Sequence, residues 1–137
     1  MLNRKEKELK QREENRQYEN GRLLKRLKEC PNRAFKNYLK HHHIKTIAVY
    51  GAGAVGKELI KQLNPSIPVD YIIDKFEGGK KLGEIPILQL RFDFLPEVDA
   101  VIITPCHELE FIQFQLCNYY SNNCKFLALD ALLDSIL

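Results

Sequence analysis

TIAVYGAGAVGK, residues 46–57, is the segment from which the rest of the chain can be read. An apolar run, Ile47 to Tyr50, meets Gly51, Gly53 and Gly56, and a helix-patterned segment follows. This is G-x-G-x-x-G placed after a strand and at the opening of a helix, the context in which the pattern carries meaning. Gly51 allows a sharp turn out of the strand. Gly53 leaves no Cβ between the backbone and an approaching pyrophosphate. Gly56 lets the helix pack close to the strand. The free N–H groups and positive dipole end of that helix then face an anion.

Working outward, Val55, Leu59, Ile60 and Leu63 make a core-facing helical stripe that ends at Asn64-Pro65. Val69 to Ile73 reads as a second strand closing on Asp74. Gly78, Gly79 and Gly83 mark a loop. Ile85 to Leu88 reads as a short strand near an edge, because Pro86 has no N–H for a ladder. Phe92 to Pro96 is irregular or a short helix, and Ala100 to Ile103 is a buried strand led by Asp99. Leu109, Ile112, Leu116 and Tyr119 recur at helical spacing. Lys125 to Leu129 is the last strand, and Asp130 caps a terminal helix bearing Leu132, Leu133 and Ile136. This order predicts an α/β, Rossmann-like, doubly wound parallel sheet of about five strands. Its ligand crevice lies at the carboxyl ends of the first and fourth strands.

Ahead of this unit, residues 1–43 form a separate, charged, helical extension, and residues 44–137 the nucleotide-binding domain. Residues 1–30 are rich in helix formers, with Glu6–Lys10 and Glu8–Arg12 at i,i+4 and Gly21 as a weak point. Leu23, Leu24 and Leu27 are its apolar stripe, and its polar first half is expected to be exposed or docked on another chain. Pro31-Asn32 breaks it, and Arg33 to His42 reads as a second helix with Phe35, Tyr38 and Leu39 on one face.

The net charge of +3 divides unevenly: residues 1–45 carry 14 Lys/Arg and 6 Asp/Glu, a net +8, and the remainder a net −5. A basic arm attached to an acidic body follows. Glu residues interleave the arm, and no helix-turn-helix or aromatic-basic pattern accompanies it, so nucleic acid is not the expected partner. No apolar run approaches the ~20 residues of a membrane span, and no leader with an apolar centre is visible. The expected location is cytoplasmic. The four cysteines, Cys30, Cys106, Cys117 and Cys124, form no C-x-x-C pair and read as free thiols.

Chemistry-bearing positions cluster around the glycines. Asp74 lies 23 residues after Gly51, where a dinucleotide-binding domain places an acid for the ribose hydroxyls. A carboxylate there favours NAD over NADP, although Lys75 beside it weakens the preference. The binding set is therefore Gly51, Ala52, Gly53, Ala54, Val55, Gly56, Asp74, Lys75, Thr104 and Pro105. The same glycines nearly spell a P-loop through Lys57, but Glu58 replaces the Ser/Thr that would hold Mg²⁺. Cys106-His107 suggests a nucleophile and base, yet no third orienting group is evident, and ligand-contacting loop residues are the simpler reading. His41-His42-His43 fans out on any backbone and reads as a linker, so no metal site is expected.

The runs IAVYGAGAVGKELIKQL, VDYIID, GEIPIL and VDAVIIT together resemble compact Rossmann nucleotide-binding domains of bacterial surface-polysaccharide biosynthesis. Relatives of that kind occur as nucleotide-sugar-binding domains of sugar acyltransferases and as small stand-alone proteins. The resemblance covers about residues 44–137 and implies a pocket for NAD or a nucleotide sugar at Gly51–Gly56, Asp74 and Thr104-Pro105. It does not carry catalysis over: acyltransferases act through a β-helix and dehydrogenases through a second domain, and the chain ends at Leu137. The expectation is a binding module, with the N-terminal helices serving a homo-oligomer or a partner enzyme. The alternatives are a small NAD-dependent oxidoreductase or epimerase whose site completes across a dimer, and an NADH-sensing regulator. Tyr38, Tyr119 and Tyr120 each lack the Lys four residues on that such an enzyme's Tyr-x-x-x-Lys pair would need.

Overall fold

The computed structural model describes residues 2–75 and 78–136; Met1 and Leu137, at the outer ends of the expected first and last helices, lie outside it. The elements run α1 (Arg4–Glu29), α2 (Asn32–His41), β1 (Ile47–Tyr50), α3 (Ala54–Leu63), β2 (Tyr71–Asp74), β3 (Lys80–Leu82), β4 (Ile85–Gln89), β5 (Ala100–Ile103), a 3₁₀ turn (Cys106–Glu108), α4 (Leu109–Leu116), β6 (Lys125–Ala128) and α5 (Leu129–Ile136). The strands form one mixed sheet in the order β3-β4-β2-β1-β5-β6. All neighbours pair in parallel except β3 with β4.

Among the described residues, the expected five strands are six. The additional strand is β3, where a glycine-marked loop was expected. The chain leaves β2, descends as β3 outside the position of β4, turns at Gly83 (φ 60°) and returns as β4. An antiparallel strand thus makes the connection that a crossover helix makes elsewhere in parallel sheets. Pro86 is consequently one strand in from the rim, paired opposite Lys81.

β1 is buried at all four positions because helices cover both faces of the sheet. Ile47, Val49, Ile72, Ile87 and Ile102 point to a face packed by Leu23 and Leu27 of α1, Phe35 and Leu39 of α2, Val55, Leu59 and Leu63 of α3, and Leu132 and Leu133 of α5. Tyr50, Tyr71, Ile73, Val101 and Ile103 point the other way, against Ile112 and Leu116 of α4 and the irregular segment carrying Leu90, Leu95 and Val98. There the Tyr71 and Tyr120 hydroxyls meet at 2.6 Å, and Tyr71 also donates to the Pro96 carbonyl. The second half of α1 and all of α2 therefore share the core of the sheet.

α1 is continuous through Gly21. Asn3 caps it by accepting the Glu6 N–H at 2.8 Å, Glu6 complements the positive end, and Arg26 and Lys28 complement the other. Its ion pairs are Arg4–Glu8 at 3.3 Å and Arg16–Glu13 at 2.6 Å, in place of the pairs expected from Glu6 and Glu8 spacing to Lys10 and Arg12. Arg26 reaches Asp134 of α5 at 2.6 Å. At the far end of the chain, α5 begins at Leu129, so Asp130 lies in its first turn rather than capping it.

Among the described residues, no helix is long and apolar enough to cross a membrane.

Candidate functional site

β1, β2 and β5 all point their carboxyl ends at one edge of the sheet. Between β1 and β5 the direction of strand progression reverses, because β2 and β4 lie to one side and β5 and β6 to the other. The glycine loop sits at that reversal.

The three glycines do different things. Gly51 adopts φ 110°, a conformation other residues rarely take, and a Cβ there would strike Thr104 Oγ1. Its N–H donates to the Ile73 carbonyl at 2.8 Å, tying β1 to β2. A Cβ on Gly56 would run into the Gly51 carbonyl, so the close approach of α3 to the strand end requires this glycine. Gly53 is unlike both: a Cβ built there meets nothing within 4 Å. It is the residue preceding the first turn of α3, and no side chain caps that turn. The N–H groups of α3 are thus left with the positive end of the helix and no acidic residue in the first turn.

All ten residues read from the sequence line one cleft: Gly51, Ala52, Gly53, Ala54, Val55, Gly56, Asp74, Lys75, Thr104 and Pro105. Asp74 Oδ1 accepts the Ala52 N–H at 3.3 Å, which holds the carboxylate beside the glycine loop. The Lys75 ammonium lies 6.0 Å from the centre of the Phe111 ring. Thr104 lines the cleft, but its buried side chain is committed elsewhere: Oγ1 donates to the Tyr50 carbonyl at 2.8 Å, alongside its own N–H at 3.1 Å. Its part is to shape the floor beneath Gly51.

Five further residues complete the wall: Arg16 and Asn20 of α1, Tyr50, His107 and Glu108. Sequence reasoning missed the two from α1, since nothing local says where that helix docks. The available signal was spacing: Arg16 lies seven residues, two turns, before Leu23 and shares its face. The Arg16 guanidinium, hydrogen-bonded to Glu13, holds that carboxyl below its usual range, and His107 adds a smaller pull. Arg16 and Asn20 share this cleft with His107 and Glu108, so the middle of α1 lies beside the 3₁₀ turn.

Burial pushes the Cys106 thiol up to about 11, so it remains protonated near neutrality and is a poor nucleophile. Cys106 is also absent from the glycine-loop cleft; it lines a smaller one of about 140 Å³ between α1 and α5, which shares His107. The Tyr50 hydroxyl is raised by burial first and by the Glu108 and Asp74 charges second, which keeps it a neutral donor. Glu58 accepts from Gln62 within α3 at 3.1 Å, at the position where a P-loop presents its hydroxyl. His41 ends α2, His42 stacks on Tyr38 with ring centres 4.2 Å apart, and His43 turns away at φ 57°. Among the described residues no group of three or more His, Cys, Asp or Glu side chains is arranged to hold a metal ion.

The site and sheet define a class by geometry alone, an open α/β sheet with a glycine loop at the reversal point. Compared with protein-family models, with curated proteins and with solved structures, the chain matches none.

Proposed function

We propose that this protein is a Rossmann-type nucleotide-binding module, holding NAD(H) or a nucleotide sugar by its diphosphate. The observation that carries the reading is the division of labour in the glycine loop. Gly51 and Gly56 are required by the fold, whereas Gly53 faces open space at an uncapped helix start. The missing side chain at that helix start leaves room for an anion to approach the backbone. The reading is supported by the loop's position at the carboxyl ends of the parallel strands, ordered β4-β2-β1-β5-β6, since doubly wound sheets bind ligands there. Asp74, at the end of β2, is positioned to accept from ribose hydroxyls and to repel a 2′-phosphate. The free volume of the cleft, about 270 Å³, falls just below the usual range of small-molecule sites. It seats the diphosphate and ribose and leaves the rest of the ligand on the open side.

The sequence resemblance supports a cytoplasmic role in surface-polysaccharide biosynthesis, in which the module presents a nucleotide to an enzyme or to a second copy. The exposed Leu9 and Tyr18 of α1, with Leu2 just before it, suit such docking. His107 on the cleft wall favours the second reading, an oxidoreductase or epimerase whose site is completed by a partner.

Calorimetry and thermal shift with NAD, NADP, UDP-sugars and coenzyme A test the proposal. NAD or a UDP-sugar is expected to bind, and Gly53→Leu to abolish binding while leaving the fold intact, since its side chain enters the cleft. Silence from all four ligand classes would overturn it. Turnover of NADH with a sugar nucleotide, lost in His107→Ala, would move the conclusion to the second reading.

A further inference from the structure

We infer that α1 is the outer wall of the nucleotide cleft and that Arg16 is a ligand to the diphosphate, exchanging Glu13 for it when the nucleotide arrives. This rests on the nucleotide reading above and names the group that makes the cleft attractive to an anion.

The argument begins with the length of α1. Its end is fixed at the amino edge of the sheet, where Leu27 is fully buried and the neighbouring Asn32 donates to the Gln62 and Leu63 carbonyls at 2.9 and 3.1 Å, at the end of α3. α1 and α3 therefore lie side by side and run in the same direction. The start of α3, at Ala54, is at the carboxyl edge. From Leu23, which packs in the core, seven residues back along the helix is a rise of about 10 Å with the same face inward. That step ends at Arg16. The face that buries a leucine against the sheet presents a guanidinium just above it, beside the glycine loop, with Asn20 one turn below.

Charge makes this placement consequential. Among the described residues, the ionisable groups on the wall besides His107 are Arg16, Lys75, Asp74 and Glu108, together with the Tyr50 phenol, which stays neutral. Among these described groups, two cations balance two carboxylates. Without Arg16 the carboxylates prevail and the cleft repels a diphosphate, whatever the helix end contributes. With it, the loop N–H groups and a planar fork of donors approach the same anion from opposite sides. The partner exchange is inexpensive. The Arg16 and Glu13 side chains are 49% and 48% exposed, and pairs of that kind contribute little in water. A diphosphate offers more charge than one carboxylate and accepts the guanidinium through two parallel bonds.

The test uses the full chain and calorimetry with UDP-glucose and NADH, with uridine and adenosine as phosphate-free controls. Arg16→Ala is expected to weaken the two diphosphates about tenfold, the scale of one lost charge-assisted bond. It is expected to leave the nucleosides unchanged and the melting temperature within about 2 °C of wild type. Arg16→Lys should recover part of the loss, because a point charge replaces the fork. Glu13→Gln should tighten the diphosphates by about two- to threefold by removing the competing carboxylate. If wild type and Gly53→Leu behave as proposed but Arg16→Ala binds diphosphates normally, the inference fails and the nucleotide reading stands. Equal losses for nucleosides and diphosphates in Arg16→Ala would also overturn it, by revealing an undocked helix instead of a lost ligand. If wild type binds none of the four probes, both fall together.

Discussion

The two halves of α1 have the same backbone and opposite reasons for it. From Arg4 to Asn20 the helix is almost entirely exposed, held by the Asn3 cap and by ion pairs one turn apart. From Gly21 to Glu29 it is held by burial, with Leu23 and Leu27 in the core and Arg26 tied to Asp134. A helix as short as the packed half is marginal on its own in water and is held by burial of its leucines. The packed half supplies the nucleus, and the exposed half continues it out over the carboxyl edge of the sheet. A polar helix is informative here because of what anchors its other end.

This contrast can be broken by mutation. The largest effect is expected from Leu27→Ala, which empties a fully buried site and should cost about 3 kcal/mol, read as a shift in urea midpoint. A change under about 0.5 kcal/mol would mean that the second half is not part of the core.

A smaller effect follows from the thiols. Cys30, at the end of the packed half, is raised by burial, and Cys106 and Cys124 are pushed by burial up to about 11. A thiol unfolds to an ordinary value near 9, so above that the unfolded state binds fewer protons than the native one. The stability contributed by these neutral thiols is whole below pH 9 and is lost as pH rises toward 11. Denaturant midpoints measured across that window should fall, and Cys106→Ser with Cys124→Ser should flatten the fall.

Gly21→Ala probes the junction between the halves. A Cβ there meets open space, so the substitution should stabilise by about 0.5–1 kcal/mol. The smallest effect is expected from Leu9→Ser, within about 0.5 kcal/mol at low protein concentration. A larger loss that grows with concentration would show another chain covering the exposed half, and sedimentation would identify it.

What could be read from the sequence tracks where its physics is local. The run Ile47–Tyr50, the glycines after it and the stripe Val55-Leu59-Leu63 each carry their own periodicity, and the loop chemistry brought Asp74 and Thr104 to the same edge. β3 escaped notice because its residues, Lys80-Lys81-Leu82, are mostly exposed and sit among glycines, so no alternation marks them. The pairing with β4 alone makes it a strand. Arg16 and Asn20 escaped for a different reason. Their role depends on the docking angle of a helix set by Leu23 and Leu27, and no pattern within residues 4–20 encodes a partner nearly ninety positions away at His107. The terminal helix shows the smaller kind of error, a boundary displaced by one residue at Leu129–Asp130.

The lateral rims of the sheet carry a last consequence. A strand with an unpaired side is a template onto which further chains can polymerise. One rim here is β3, with Lys80 and Lys81 exposed; the other is β6, which opens on the exposed Lys125, whose ammonium donates to the His42 carbonyl at 3.3 Å. Each border is short and posted with lysine, so two molecules meeting rim to rim would bring like charges together. The protein is thereby free to crowd in solution without its sheets fusing into a ribbon.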